Sequence, residues 1–453
     1  MGFLVGDEDT ICALSTPEGH GGIAVIRLSG TKAVPVARRL CTFLPDVLES
    51  HRVYYGMIRG HEDVSLIDEV LVTYFVKGKS FTGEHTIEIS CHGSEFLALT
   101  ILKELQGAGA RMARPGEFTY RAYINGKMDL VQAEGVLGLI QSRSKLSSKA
   151  AINHLRGGLS KTYREIENQI MSVVSQLEAD IDFTHENLST EGHDVHIQKL
   201  LCAQEKAKDL LDSYSVGRQL REGCRILITG EPNVGKSSLM NSLSGEERSI
   251  VTSVPGTTRD LIEFQTNQFG VETVFVDSAG LRDSSNEIEI EGIKKAKREL
   301  KDCDYVILVI DSTKDIKLQI KSREEDLRDK RVLIVGNKVD LVTSAISSGH
   351  DNVVYCSAKN NVGIDNLKNK IREMLLERKG SDNHIVTQSR HVELLEKVVK
   401  SVGNGVDGLQ KRLSPELTIF DLREGVHAIH ELLGIQVDDR VLDRIFKEFC
   451  IGK

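Results

Sequence analysis

The sequence predicts a doubly wound α/β domain that interrupts an all-α domain, with a smaller α/β domain in front of both. Three observations support this fold class. Five short apolar runs between residues 224 and 359 alternate with polar or helical sequence, which is typical of a buried parallel sheet. Segments with apolar residues at three- and four-residue intervals lie on both sides of that region. The first 125 residues mix strand-like runs with helical spacing.

The domain boundaries follow from these changes of pattern. A chain of 453 residues is too long for one hydrophobic core, so two or three domains are expected. We predict an N-terminal domain over 1–125, the first part of a helical domain over 126–220, an inserted domain over 221–379 and the second helical part over 380–453. Neither helical part is large enough to bury a good core alone, so we expect the two to fold together.

In the N-terminal domain, short runs bounded by Gly and polar residues predict strands: "GGIAVIRLSG", "EVLVTYFV" and "HTIEISCHG". The stretch "SEFLALTILKELQGAGA" has helical spacing and a Gly stop. Helical spacing also marks "DLVQAEGVLGLIQSRS" and "YREIENQIMSVVSQLEADI" before the inserted domain, and "RHVELLEKVVKSV" and "IFDLREGVHAIHELLG" after it. The predicted parallel strands are "CRILITG", "TVFVDSAG", "YVILVIDS", "RVLIVGNK" and "VVYCSAK".

The composition is ordinary for a globular protein, with 40% hydrophobic and 27% charged residues. A net charge of −8 counts against simple electrostatic binding of RNA by the chain as a whole. The eight cysteines include no C-x-x-C pair, which favours a reducing compartment over a zinc site or a disulfide framework. The apolar runs are too short to span a membrane and the N-terminus lacks the blocks of a signal peptide, so we predict a cytoplasmic protein.

The stretch "GEPNVGKSS" matches the phosphate-loop pattern G-x-x-x-x-G-K-[ST] at Gly230, Gly235, Lys236 and Ser237. It follows the strand "RILIT" and opens a helix, so backbone N–H groups and the helix N-terminus can surround phosphates. Lys236 would reach the β- and γ-phosphates, and the Ser237 hydroxyl would bind Mg²⁺. The alternative is a chance Gly-rich turn.

Two further segments suit the γ-phosphate side of a nucleotide. In "DSAG", Asp277 would act as an outer carboxylate for Mg²⁺ and Gly280 as a backbone donor to the γ-phosphate. In "VTSVPGTTRD", Thr258 would bind Mg²⁺ as a switch hydroxyl, unless this is only a Pro-Gly turn with incidental threonines. Many related enzymes place a Gln directly after "DSAG" to orient the attacking water, but here the residue is Leu281.

The segments "NKVD" and "SAK" predict guanine recognition. An Asp340 carboxylate accepts the N1–H and the exocyclic amine of guanine, whereas adenine would leave this charge unpaired. Four motifs in order, each at a strand end, predict an α/β P-loop GTPase (Ras-like) domain. The predicted GTP contacts are Asn233, Val234, Gly235, Lys236, Ser237, Ser238, Thr252, Ser253, Val254, Pro255, Gly256, Thr257, Thr258, Asp277, Ser278, Ala279, Gly280, Asn337, Lys338, Val339, Asp340, Ser357, Ala358 and Lys359.

In "GEPNVGKSS", "PGTTRD" and "DSAGLRD" the chain resembles the MnmE (TrmE) family of tRNA-modification GTPases. The resemblance covers nearly the whole length, because "DTICALSTPEGHGGIAVIRLSG", "FTGEHTIEISCHG", "RPGEFTYRAYINGKMDLVQAE" and the terminal "FCIGK" also match. One departure is "HGS" at 92–94, where the family usually has His-Gly-Gly. One alternative is a ribosome-assembly or RNA-chaperone GTPase, which should carry an RNA-binding module. The sequence shows no KH-like G-x-x-G flanked by basic residues. Another alternative is a GTP-gated scaffold that has no chemistry of its own.

The resemblance implies a folate-binding N-terminal domain, a homodimer formed through it, and an FAD-dependent MnmG-type partner in a heterotetramer or larger complex. Together the partners would place an aminomethyl or carboxymethylaminomethyl group on C5 of the wobble uridine of certain tRNAs. A 5-formyl- or 5,10-methylene-tetrahydrofolate would supply the one-carbon unit, and FAD would enter only through the partner. No membrane contact is implied.

The resemblance also implies activation by K⁺ in place of an arginine finger. The K⁺ ligands would be Asn233, Thr252, Thr257 and the backbone of Val254, and a fixed cation there offsets developing charge. The catalytic residue would be Glu289 of "GLRDSSNEIEIEG", which would orient water through a second water. Glu287 and Glu291 are its neighbours, and the alternative is that all three glutamates are simply solvated.

For the folate, the resemblance implies contacts from Arg27, Glu88, Lys127 and Lys453. The alternation with Ile87 and Ile89 predicts that Glu88 stands alone on a polar sheet face, and each of these charges could instead be an ordinary solvated group. The resemblance gives Cys450 a possible chemical role, with a buried structural cysteine as the alternative. The ending "CIGK" is a poor prenylation box, so no lipid anchor is predicted.

Overall fold

The computed structural model describes residues 9–62, 64–182, 192–244, 263–277, 299–328, 330–342, 352–376 and 384–452. The strands in these ranges are β1 Ile11–Leu14, β2 Ile23–Ser29, β3 Val53–Arg59, β4 Leu66–Phe75, β5 Thr86–His92, β6 Arg111–Met112, β7 Cys224–Gly230, β8 Glu263–Thr266, β9 Thr273–Asp277, β10 Tyr305–Asp311, β11 Arg331–Asn337 and β12 Val353–Tyr355. All nine strand and helix segments that the sequence pattern placed in the two α/β regions are confirmed.

The helices in the same ranges are α1 Ala33–Leu40, α2 Glu95–Gly107, α3 Glu117–Ile124, α4 Leu130–Gln141, α5 Lys145–Leu155, α6 Gly158–Asp182, α7 His193–Glu222, α8 Lys236–Ser244, α9 Ile316–Lys321, α10 Glu324–Leu327, α11 Ile364–Leu376, α12 Ser389–Gln410, α13 Pro415–Leu433 and α14 Asp439–Lys447, with a 3₁₀ turn at Val339–Leu341. Within the described part of the chain, none of them is both long enough and apolar enough to cross a membrane.

The chain divides into two compact units. The first unit comprises Met1–Leu137, His154–His196 and Asn404–Lys453, and the second comprises Gly138–Asn153 and Ile197–Gly403. These limits differ from the predicted domain boundaries, since the ends of the helical region group with the N-terminal residues. The four-part division stays a prediction.

The first unit contains a six-stranded sheet in the order β3-β4-β5-β2-β1-β6. Its neighbours are antiparallel except for β1 and β6, which run parallel. Alternation decides which face is covered: Ile87 and Ile89 of β5 are buried against α1 and α2, while Glu88 between them points to the other face. That opposite face carries the polar residues of the central strands, and Phe118 of α3 packs beside Arg27 there.

The helical part of the first unit is built on the packing of α6 against α13. Apolar residues at helical spacing bury one stripe of each helix, among them Ile166, Ile170, Ile429 and Leu432. At the rim, Glu167 Oε1 lies 2.7 Å from His430 Nε2. In sequence, α6 precedes the 197–403 segment of the second unit and α13 follows it. Two helices from the two predicted helical parts therefore pack together within the first unit.

The second unit contains a sheet in the order β12-β11-β10-β7-β9-β8, parallel except for the edge strand β8. All seven residues of β10 are buried, as expected for a strand covered on both faces. This is the predicted doubly wound α/β fold. Ligands of such folds bind outside the carboxyl ends of the strands, where β7, β9, β11 and β12 place the four nucleotide motifs.

Candidate functional site

The phosphate loop runs from the end of β7 to the first turn of α8, as predicted. Asn233 adopts a left-handed backbone with φ 64°, and Gly235 has φ 96°. A Cβ on Gly235 would lie 2.4 Å from Asn337 Nδ2, so glycine is required there for the close approach of the two loops. The buried Lys236 ammonium donates to the carbonyl oxygens of Gly230 at 3.2 Å and Glu231 at 2.9 Å, which places its charge inside the loop.

Two predicted magnesium-side groups meet at the mouth of this loop. Ser237 Oγ, in the first turn of α8, donates to Asp277 Oδ2 at the end of β9, with 3.0 Å between the oxygens. Mg²⁺ takes oxygen ligands and keeps several waters. A hydroxyl beside a buried carboxylate is therefore a donor set that fits it, the hydroxyl binding directly and the carboxylate through water. Ser238, the next predicted contact, lies exposed on α8.

Asn337 connects three loops of the site. Its side-chain Nδ2 donates to Val234 O of the phosphate loop at 2.9 Å, and its Oδ1 accepts from Ala358 N at 3.0 Å. The side chain is buried, so both of its polar ends are satisfied away from water. The amide thus fixes the phosphate loop relative to the 357–359 loop, which is a positioning role in addition to the predicted contact.

The predicted guanine carboxylate is held in place by a neighbour. Ser357 Oγ donates to Asp340 Oδ1 at 2.6 Å, while Asp340 itself is exposed beside the 3₁₀ turn. Ser357 Oγ also accepts from Asn360 N at 3.2 Å. The carboxylate is therefore oriented before any base arrives, with its charge facing outward, while Lys359 lies exposed on the same loop.

Lys338 is held by an aspartate that the sequence analysis did not single out. Its Nζ lies 2.7 Å from Asp311 Oδ2, at the end of β10. Burial would raise the pKa of Asp311, but hydrogen bonds from Lys338 and Thr313 outweigh burial and hold that pKa below its ordinary value. An Asp that directly ends an apolar parallel strand was the signal available in "YVILVID". Lys338 has φ 67°, so its loop also turns through a left-handed residue, and Val339 N donates to Cys356 O at 3.3 Å.

Several predicted residues lie outside the described ranges, and their roles remain predictions. They are Thr252, Ser253, Val254, Pro255, Gly256, Thr257, Thr258, Ser278, Ala279, Gly280, Glu289 and Lys453.

In the first unit, Arg27 and Glu88 form a cross-strand pair on the sheet face opposite α1 and α2. They stand opposite each other in the β2–β5 register, and Arg27 Nη2 lies 2.7 Å from Glu88 Oε1. The prediction that Glu88 stands alone is therefore wrong, because periodicity gives the face of a residue and not its neighbour across the sheet. The Arg27 guanidinium carbon also lies 5.6 Å from the Phe81 ring centre and 5.7 Å from that of Phe118.

Lys127 contacts the loop between β4 and β5. Its Nζ donates to Gly78 O at 2.9 Å, and Asn125 Nδ2 donates to Thr82 O at 2.8 Å. Phe81, which contacts Arg27, belongs to this loop. The segment from Gly78 to Thr82 thus links two of the predicted folate contacts.

A largely buried network of charged side chains packs beside the loop between β4 and β5 and contacts it through Glu84. Arg121 Nη1 donates to Glu84 at 3.2 Å, and its Nη2 donates to Glu117 at 3.0 Å and to Asp9 at 2.8 Å. Arg111 pairs with both Asp9 and Glu117. Burial would raise the pKa of Glu117, but hydrogen bonds from Arg111 and from a backbone N–H outweigh burial and lower it. The charged form of Glu117 is therefore the one that the fold stabilises.

We expect Glu117→Gln to lower the free energy of unfolding of the first unit at pH 7 by about 3 kcal/mol, because it leaves the buried Arg121 and the half-buried Arg111 short of a counter-charge. A carboxylate with a lowered pKa stabilises above its unfolded value of about 4.3 and loses that contribution as the pH falls through the folded value. The difference between variant and wild type should therefore shrink between pH 5 and pH 3, as seen in urea unfolding curves. Glu49→Gln, which removes an exposed partner of Arg52, is the matched control and should change little.

The C-terminal residues pack against the first unit near α3. Phe446 and Phe449 are buried in one cluster with Tyr120, and Gly116 N, at the start of α3, donates to Cys450 O at 3.4 Å. Cys450 is exposed, which contradicts its interpretation as a buried structural cysteine. Since α3 also carries Phe118, the end of the chain lies at the helix that supports Arg27.

The chain matches two family models, the GTP-binding protein TrmE N-terminus over residues 10–127 and the MnmE helical domain over residues 130–450. The tRNA modification GTPase MnmE of Bdellovibrio bacteriovorus is 40% identical across 99% of this chain and 98% of its own length. The enzyme of the same name from Syntrophotalea carbinolica is 39% identical across 99% of this chain and all of its own length. A solved structure of Era with MgGDPNP and 16S ribosomal RNA nucleotides is 22% identical over 39% of this chain and 66% of its own, with a TM-score of 0.27.

The two family models match residues 10–127 and 130–450, and the two relatives align over 99% of the chain. On these matches the chain belongs to the MnmE (TrmE) family.

Proposed function

We propose that this chain is a K⁺-activated GTP hydrolase that modifies tRNA. With an FAD-dependent MnmG-type partner, it adds an aminomethyl or carboxymethylaminomethyl group to C5 of the wobble uridine of certain tRNAs. The observation that carries the GTP part is the oriented Asp340 carboxylate, held by Ser357 beside a phosphate loop that Asn337 fixes. The relatives of nearly equal length, which are named tRNA modification GTPases, support the tRNA part.

The first unit supports the folate part of the proposal. Glu88 offers a carboxylate that can accept hydrogen bonds from a pterin's amino group and ring N–H, and Arg27 holds that carboxylate in place. Lys127 offers positive charge for a carboxylate tail. Phe81 and Phe118 supply apolar rings beside them. These donors and acceptors fit a tetrahydrofolate, which when bound would supply the one-carbon unit. The chain's own contribution is to bind and orient that molecule.

We further propose a cytoplasmic protein in which residues 126–220 and 380–453 form one helical domain around a G domain at 221–379. Two copies of the chain would form a homodimer through residues 1–125. The edge strand β3 supports the dimer, since Val53, Tyr55 and Met57 expose 55%, 67% and 42% of their surfaces on one face. Tyr55→Lys is expected to shift the mass measured by light scattering toward the monomer. An unchanged dimer would place the interface elsewhere.

Nucleoside mass spectrometry tests the function directly. Transfer RNA from cells that lack this protein should have lost the C5 modification of wobble uridines, and the wild-type gene should restore it. A Ser237→Ala gene should fail to restore it, because Mg²⁺ and the phosphate loop would be impaired. Unchanged wobble uridines together with defective ribosomal particles would instead favour the ribosome-assembly alternative.

We expect hydrolysis of GTP to be several-fold faster in K⁺ than in Na⁺ at equal ionic strength, because a fixed cation offsets the charge that develops during hydrolysis. Asn233→Gly should remove that difference, since glycine fits the left-handed backbone and deletes the amide ligand. Asn361→Gly is the matched control, an Asn with φ 55° outside the predicted contacts. Equal rates of the wild type in both salts would contradict the cation role of Asn233.

A further inference from the structure

Three exposed lysines surround one tight turn in the first unit. Lys79 N donates to Val76 O at 3.0 Å, which closes the turn 76–79, and Gly78 at its third position has φ 83°, as a type II turn requires. Lys77 and Lys79 are exposed on either side of Gly78, and the Lys127 ammonium touches Gly78 O at 2.9 Å. We call this set, Lys77, Lys79 and Lys127, the lysine turn.

The lysine turn is firmly held. Gly78 N donates to Gly83 O at 2.9 Å, and Ser80 and Thr82 are buried. Ser29 Oγ and Thr82 Oγ1 lie 2.7 Å apart, which ties the loop to the end of β2. Three long cationic side chains are thus presented from a backbone that does not have to be ordered on binding.

No carboxylate of the loop neutralises these lysines. The sequence from Val76 to Gly83 contains no Asp or Glu. The next acid, Glu84, accepts from Arg121 and, at 2.7 Å, from Ser29 Oγ, so its charge is directed into the unit. Positive charge therefore accumulates at the outer end of the loop, whereas Phe81 at its inner end contacts Arg27 of the Arg27–Glu88 pair.

We propose that the lysine turn binds the poly-γ-glutamate tail of a folate, an inference that rests on the folate part of the proposed function. The pterin has the donors that Glu88 can accept, so it occupies the inner end of the loop. The tail then extends outward, and every added glutamate brings another free α-carboxylate. A monoglutamate reaches Lys127, and the longer tail reaches Lys77 and Lys79.

Exposed ion pairs contribute little each, but two or three acting on one ligand give a measurable gain. We expect 5-formyltetrahydrofolate pentaglutamate to bind the full-length protein about tenfold more tightly than the monoglutamate at low salt. Screening should reduce that gain severalfold at about 0.5 M salt, because the Debye length is then shorter than the spacing of exposed charges.

Isothermal titration calorimetry with the two folates on wild type and on the double variant Lys77→Ala, Lys79→Ala tests the inference. The variant should keep the monoglutamate affinity and lose the gain from the longer tail, while Lys77→Arg, Lys79→Arg should keep both. Lys103→Ala, an exposed lysine on α2, is the matched control and should behave as the wild type. Circular dichroism melting of each variant verifies its folding.

The possible results distinguish a failure of the polyglutamate-tail site from a failure of the proposed folate site. Equal affinities of the wild type for both folates would overturn the tail site and leave the folate site standing. Absence of monoglutamate binding would overturn the folate part of the proposed function and the tail site with it. If the double variant keeps the pentaglutamate gain but binds tRNA more weakly, the lysines serve an RNA backbone and the inference is wrong.

Discussion

Asp340→Asn is expected to weaken GTP binding by about 100-fold or more and to let xanthosine triphosphate bind in its place. Asp340 is exposed, and Ser357 Oγ fixes one of its oxygens at 2.6 Å. Guanine presents two donors, N1–H and the 2-amino group, to such a carboxylate. The Asn side chain keeps one acceptor oxygen, which can bind one of the two guanine donors. Its NH₂ group faces the other guanine donor, so that hydrogen bond is lost and two donors oppose each other.

The magnitude follows from the charge on the acceptor. The lost hydrogen bond to a charged group accounts for about 1.5–3 kcal/mol, and the guanine donor left without an acceptor costs about 1–3 kcal/mol more, which gives about 3–6 kcal/mol in total. At about 1.4 kcal/mol per tenfold change, this corresponds to about 10²- to 10⁴-fold in affinity. Xanthine has a carbonyl where guanine has the 2-amino group, so the Asn amide can donate to it and restore the second bond.

Fluorescent nucleotide titration measures both affinities. Asp315→Asn is the matched control, because Asp315 is an exposed cap whose Oδ1 accepts from Leu318 N in the same unit. This variant should bind GTP as the wild type does. Retention of full GTP affinity by Asp340→Asn would show that the carboxylate does not face the base, and the assignment of the guanine site would have to be withdrawn.

The strands and the candidate site of the second unit could largely be predicted from the sequence, because the site residues lie in short contiguous motifs at strand ends. The motifs do not indicate which of their residues form hydrogen bonds with residues of another motif. The bonds from Asn337 to Val234 and to Ala358 join residues 103 and 21 positions apart. Asp311 was missed because no motif includes it, although it ends a fully buried strand.

In the first unit, strands with clear alternation were predicted and the others were not. β1 is only four residues long and β6 only two, so neither carries a periodic signal, and they are recognisable only through their pairing with neighbours. The contact of Arg27 with Glu88 depends on the β2–β5 register, which no single strand encodes. The exposure of Cys450 depends on how the chain end packs, which is again a tertiary property.

Glu289→Ala is expected to reduce the rate of GTP hydrolysis by about 10²- to 10⁴-fold, while GTP affinity changes by no more than about threefold. Leu281 follows "DSAG" and has no polar atom on its side chain, so the attacking water needs another group to orient it. The family resemblance assigns that task to Glu289, which lies outside the described residues. A group that acts only on the water leaves the contacts to guanine and the phosphates intact.

Glu287→Ala and Glu291→Ala are the matched controls, since both glutamates lie two residues away on the same acidic segment. Single-turnover rates in K⁺ should fall only for Glu289→Ala, and a large loss in Glu287→Ala instead would contradict the assignment. The residual hydrolysis of Glu289→Ala should still be faster in K⁺ than in Na⁺, because the cation offsets charge and the carboxylate orients water. If Glu289→Ala lost both turnover and the K⁺ effect, the cation and Glu289 would act as one unit. A single arrangement would then replace the glutamine that is absent at Leu281, and not two independent ones.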